Sequence, residues 1–313
     1  MTRRKWYKKK RIWGLIFLTV LFLITKMEWA KIRYDRPTLL EKLTANSIAS
    51  ISYDTRKVAD KTIHFLKKIN QKNFPLLVMV HGSPGALNAY ETYLEDPTLN
   101  AQMNLISVDR SGFGYSDFGI SESSLEVQAA LIAEILKDYP NQKKILVGHS
   151  MGGPVISKLA MDFPNLVDGM VMVAPSISPA LEPSNVWRKA INFPLIRWFT
   201  PTGLNVCNQE IIPLREELEK MLNGWKEIKI PISIVQGEED FLVPKENAFF
   251  AKSMMPDNLD FKTVMIKGGN HFILWSEIPL IIGEILGVLE KVCLLYTSPS
   301  PRDATLSRMP SSA

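Results

Sequence analysis

Short apolar runs alternate with amphipathic stretches along most of this chain of 313 residues. Runs at 63–69, 76–80, 104–109, 144–148, 169–174, 232–236 and 262–266 read as strands, most of them apolar at nearly every position. A strand covered on both faces needs no polar side, so this pattern favours buried parallel strands. Helical spacing fills 122–138, 151–162, 245–255 and 272–291. The alternation predicts an α/β fold, with a mostly parallel central sheet and helices on both faces. One segment breaks the rhythm: 176–228 holds no convincing strand, several prolines, and "PLREELEKMLNGW", where Leu214, Leu218, Met221 and Trp225 recur at helical spacing. A segment of that size buries little by itself. It is expected to be a small helical cap over the strand ends, inserted in one domain spanning 31–292.

The two ends differ from this body. Arg3, Arg4, Lys5, Lys8, Lys9, Lys10 and Arg11 precede fourteen uncharged residues, Ile12 to Thr25. As a helix that stretch reaches roughly 21 Å, and about 28 Å if continued to Ala30, against a hydrocarbon core of ~30 Å. With Trp13 and Trp29 suited to the interfaces, residues 1–30 are expected to form a signal-anchor, a transmembrane helix preceding the fold. The lipid bilayer is then a partner, the N-terminus is cytoplasmic and the remainder lies across the membrane. A cleaved signal peptide and a secreted protein form the competing expectation. At the other end "CLLYTSPSPRDATLSRMPSSA", 293–313, is rich in serine and proline and is expected to be disordered. Its first eleven residues look like a translated sequencing adapter, so an assembly artefact is the reading there.

Charge changes the picture only at those ends. The formal +5 includes seven N-terminal positive charges and a net +1 in the last 21 residues, which leaves −3 for 12–292. No basic patch is implied, and nucleic acid is not an expected partner. With Cys293 set aside, Cys207 stands alone, so no intrachain disulfide is expected. No His-Glu-x-x-His or Cys/His cluster calls for a metal, and no cofactor is expected.

Candidate chemistry begins where an apolar strand stops abruptly. Gly148-His149-Ser150-Met151-Gly152 fits G-x-S-x-G between a strand and a helix. A sharp turn there exposes the serine, crowds its neighbours down to glycine, and aims the free N–H groups of a helix start toward developing negative charge. The hydroxyl needs a base. His64 lies in a strand and His149 adjoins Ser150 with its ring expected to point away, so packing roles suit both. His271, in the loop "IKGGNHF", is the candidate base. Glu238, Glu239 or Asp240 could orient it; Asp240 is preferred because it immediately precedes apolar residues, where a loop acid would turn inward. The order Ser150, Asp240, His271 follows.

From about Leu76 to Glu290 the chain resembles cap-bearing members of the α/β-hydrolase superfamily. "HGSPG" (81–85) is similar to the family's H-G-x-P turn, "DRSGFGYS" (109–116) to its D-x-x-G-x-G-x-S turn, and "GHSMGG" (148–153) to its nucleophile elbow. The resemblance implies an oxyanion hole from the Ser83 and Met151 main-chain N–H groups, His81 positioning that loop, and a structural Asp109. Ser150 departs from the aspartate of epoxide- and halide-processing relatives. "GHSMGG" also departs from the G-G-S-W-G of prolyl aminopeptidases and looks more like esterases, lipases and cofactor-free haloperoxidases.

The resulting expectation is a serine esterase or lipase-like hydrolase cleaving a small-molecule carboxylic ester. The rivals are a peptidase or amidase acting on short peptides, a haloperoxidase-like enzyme, and a non-catalytic binding scaffold. For the peptidase, Glu182, Glu210, Glu216 and Glu217 are candidate acids for a substrate amine. Trp187, Phe193, Trp198, Phe199 and Trp225 would make the cap either an apolar acyl site or its own core.

Overall fold

The computed structural model describes residues 2–26, 33–45, 47–183, 186–257 and 259–297. Eight strands form one sheet: β1 (Ser50–Val58), β2 (Lys61–Ile69), β3 (Leu76–Val80), β4 (Asn104–Asp109), β5 (Lys144–His149), β6 (Gly169–Val173), β7 (Ile232–Gly237) and β8 (Phe261–Ile266). Their order across the sheet is β1-β2-β4-β3-β5-β6-β7-β8. β2 runs antiparallel to β1 and β4; all other pairings are parallel.

Side chains alternate between two cores, as a period of two requires. Val78, Leu146, Met172 and Ile234 face one side, under the helices Leu125–Leu136, Gly152–Asp162 and Glu246–Met254. Met79, Val147, Val171 and Val235 face the other, against Ile281, Ile285, Val288 and Val292 of the last helix. That helix, Ile278–Thr297, begins just before Pro279, a residue the first turn tolerates because its N–H would be unpaired there anyway. The short turn Ile273–Ser276 precedes it, so the apolar pattern of 272–291 is two helices. Residues 298–313 lie outside the described residues.

Between β6 and β7 the chain leaves the sheet for the helices Val186–Ile191, Pro194–Phe199, Thr202–Ile211 and Leu214–Met221. The last buries Leu214, Leu218 and Met221, with Trp225 following in the same core. This is the small helical cap.

The N-terminal expectation needs correction. A helix does run over Thr2–Lys26, but no helix among the described residues is long and apolar enough to cross a membrane. Nearly half of its length is the basic stretch, the uncharged part stops at Thr25, and the extension to Ala30 lies outside the described residues. Fourteen residues reach only about two thirds of a hydrocarbon core. The transmembrane and signal-anchor readings, the bilayer partner and the single-pass membrane placement therefore lack support. Phe22 of this helix instead packs on the cap, its ring 4.7 Å from Trp198 and 6.2 Å from Phe199.

Candidate active site

Loops leaving the C-terminal ends of the parallel strands converge on one cavity of about 260 Å³. Ser83 follows β3, Ser150 and Met151 follow β5, Ser176 follows β6, and His271 follows β8; all five line it. Open parallel sheets gather ligand sites at this edge.

Ser150 sits at φ 51°, a left-handed conformation that costs a non-glycine residue on the order of 1–3 kcal/mol. Its N–H is held by Val173 O at 2.9 Å, which ties the turn to β6. The turn is too crowded for side chains on either flank. A Cβ on Gly148 would lie 2.5 Å from Gly152 O, and one on Gly152 would lie 2.1 Å from Val80 O. The glycines thus exist to bring β3, the turn and the following helix together.

The loop after β7 turns Asp240 inward, while Glu238 and Glu239 stay exposed. His271 Nδ1 donates to Asp240 Oδ2 at 2.8 Å, so that in the neutral ring Nε2 is the accepting nitrogen. Leu242 N and Val243 N donate to Oδ1 at 2.9 and 2.8 Å, and Gln236 Nε2 donates to Oδ2 at 3.1 Å. Burial by itself would raise the Asp240 pKa. The bond from His271 and the two N–H groups outweigh it and hold the carboxyl below its ordinary value.

His149 lies beneath this pair. Its Nε2 donates to His271 O at 3.1 Å, and the two rings are 5.0 Å apart. Burial, reinforced by His271, pushes its pKa down to about 3, so it is neutral at physiological pH. Its packing role therefore bears on the candidate base itself, which no sequence signal indicated. His81 is also held neutral, mainly by burial and then by the Arg110 charge. It accepts from Arg110 N at Nε2 (3.0 Å) and donates from Nδ1 to Gly82 O (2.7 Å).

The four candidate acids have different fates. Glu182 lines the cavity, where burial raises its pKa against the Ser176 hydroxyl that donates to it and the charges of Arg188 and Arg215. Glu210 is buried against Arg110, Glu217 accepts from Leu125 N at 3.0 Å, and Glu216 is exposed. Of the cap aromatics, Trp225 is core, Phe193 and Trp198 are exposed, and the apolar lining includes the aliphatic Leu181, Ile211, Leu214, Leu242 and Val243. Cys207 also lines the cavity, and burial raises its thiol pKa, which disfavours a thiolate. Among the described residues no cluster of histidine, cysteine or acids could hold a metal.

Residues 75–200 match the model of the alpha/beta hydrolase fold. A crystal structure of a hydrolase from Pseudomonas aeruginosa superposes with a TM-score of 0.62 at 15% identity, over 78% of this chain and 99% of that one. The fold is that of the α/β-hydrolase superfamily. Alpha/beta hydrolase domain-containing protein 10 from mouse gives a TM-score of 0.60 at 19% identity, over 77% and 99% of the two chains. Monoglyceride lipase of Mus musculus is 23% identical over 248 residues, covering 67% of this chain and 79% of that protein. The fold and these relatives together support a hydrolase-type enzyme.

Proposed function

We propose that this chain is a serine hydrolase that cleaves carboxylic esters through an acyl-enzyme on Ser150. The observation carrying the proposal is the Asp240–His271 bond at the rim of the same cavity that Ser150 lines. His271 Nε2 takes the Ser150 proton as Oγ attacks the ester carbonyl. The oxyanion rests on the Ser83 and Met151 N–H groups. His271 returns the proton to the departing alkoxide, which leaves as the alcohol. Water, deprotonated by the same nitrogen, then attacks the acyl-enzyme; the acid leaves and Ser150 regains its proton. Asp240 holds the ring in the required tautomer and steadies the transient imidazolium.

The aliphatic lining suits an apolar acyl group. A peptidase reading would use Glu182 to bind a substrate ammonium, since it is the acid that reaches the cavity. Two guanidinium groups beside it, Arg188 and Arg215, offset the attraction, which favours the neutral ester. A fluorophosphonate probe is expected to label the wild type and leave Ser150→Ala unlabelled. Equal labelling of both would remove Ser150 as nucleophile.

A further inference from the structure

Arg110 follows Asp109 in the turn after β4, and its side chain is fully buried. Every donor of the guanidinium fork is directed at a partner. Nε donates to His81 O at 2.9 Å and Nη2 to Gly82 O at 3.1 Å. Nη1 donates to Gln128 Oε1 at 2.9 Å, and Glu210 closes the fork through Nη1 (2.7 Å) and Nη2 (2.9 Å). Glu210 belongs to the cap helix Thr202–Ile211, which also presents Cys207 and Ile211 to the cavity.

The grip on Gly82 O has a geometric consequence. The Gly82 carbonyl and the Ser83 N–H belong to one planar trans peptide, the cis bond of this loop being the next one, Ser83–Pro84. In a trans unit the N–H points opposite to the C=O. Holding Gly82 O with Arg110 Nη2 and His81 Nδ1 therefore aims the Ser83 N–H the other way.

We propose that Arg110 is a positioning residue for the Ser83 oxyanion donor and that Glu210, through their buried bidentate pair, makes the cap part of the oxyanion hole. The inference rests on the serine-hydrolase reading above, in which Ser83 N–H meets the oxyanion. A planar fork is required, because the three donors of a lysine could not make the five bonds to His81 O, Gly82 O, Gln128 and both Glu210 oxygens. The pair also resists separation: lifting the Thr202–Ile211 helix would leave two buried charges unpaired.

The test pairs Arg110→Met/Glu210→Met with Glu210→Gln. Apolar replacement of a whole buried pair often preserves folding, and Glu210→Gln keeps the side-chain shape and an acceptor oxygen toward the guanidinium while removing the charge. With p-nitrophenyl acetate the double variant is expected to lose about 10–100-fold in kcat with KM within about threefold, in line with a misaimed oxyanion donor. A trifluoromethyl ketone, which forms a tetrahedral oxyanion on the serine, should weaken by the factor lost in kcat/KM. Glu210→Gln should show the same split with a smaller loss, under about tenfold. A folded variant with wild-type kcat and ketone affinity, or a loss confined to KM, overturns the proposal. Should the double variant fail to fold, Glu210→Gln decides by the same readouts. A wild type that neither hydrolyses the ester nor takes up the fluorophosphonate would instead sink the serine-hydrolase reading.

Discussion

Two histidine–aspartate pairs occupy this molecule, and at the level of the bond they are nearly the same. His271 meets Asp240 at 2.8 Å and His64 meets Asp109 at 2.9 Å, each through Nδ1 and Oδ2. Both carboxylates accept four hydrogen bonds. Asp240 takes two main-chain N–H groups, Gln236 and His271; Asp109 takes Leu87 N, Tyr115 N, the Tyr34 hydroxyl and His64. The difference lies at the far nitrogen. His64 is clamped against Tyr53, with ring centroids 5.2 Å apart, and its Nε2 is buried with no hydrogen-bond partner among the described residues. His271 instead borders the cavity that Ser150 lines. An ordered imidazole becomes a candidate base only where its second nitrogen can reach a proton worth moving.

The sharpest way to break this comparison is to disable each pair and measure turnover. Ser150→Ala or His271→Ala should lower kcat on a p-nitrophenyl ester by on the order of 10⁴–10⁶, and Asp240→Asn by about 10⁴. His64→Gln, in protein that remains folded, should stay within about threefold of the wild type, since nothing it touches reaches the reacting atoms. Comparable losses in the two histidine variants would show that the pairs are not functionally distinct.

Much of this arrangement was legible because the central strands are buried at every position and apolar at most of them. β3, β5, β6 and β7 are buried throughout, which produces the runs visible in the chain. β1 was invisible for the opposite reason. "SISYDTRKV" pairs only with β2 at the sheet edge and leaves its polar side chains in water, so no apolar run marks it. The glycines of the elbow were informative because their reason is local crowding. The Arg110–Glu210 pair was hidden because its partners are 100 residues apart and nothing local reveals a buried counter-charge. The only hint was a charge beside Asp109 in a turn otherwise explained. The N-terminal helix departs from expectation because its uncharged part, Ile12 to Thr25, is too short to cross a bilayer without Lys26 and Glu28.

Stability should separate the pairs in the reverse sense to activity. Asp109→Asn keeps the shape but removes the charge that Leu87 N, Tyr115 N and Tyr34 all address. A loss of about 2–4 kcal/mol is expected, the scale of charged hydrogen bonds in a buried network. Urea denaturation would read it as a lower midpoint at unchanged slope. An Asp109→Asn protein as stable as the wild type would show that the sealed pair does not hold the N-terminal segment, β2 and the β4 turn together.

Histidines without a bonded carboxylate sharpen the contrast in a third way, through pH. His81 and His149 are neutral in the folded protein because burial depresses their pKa values, the latter to about 3. In the unfolded chain both titrate near 6.5. Below about pH 6.5 the unfolded state therefore binds protons that the folded state refuses, and stability falls as pH falls. Each histidine contributes a slope of about 1.4 kcal/mol per pH unit between its folded and unfolded pKa values. Asp240 acts in a different window. Its depressed pKa contributes stability above the unfolded value near 3.8, lost only as pH drops through the lower folded value. Between pH 6 and pH 4 Glu182, whose pKa burial raises, acts in the opposite sense, so the histidine contribution is read as the difference between the wild type and a His149 variant. His149→Gln should flatten that dependence by about 1.4 kcal/mol per pH unit, whereas a slope the substitution leaves unchanged would mean that His149 is not held neutral under His271.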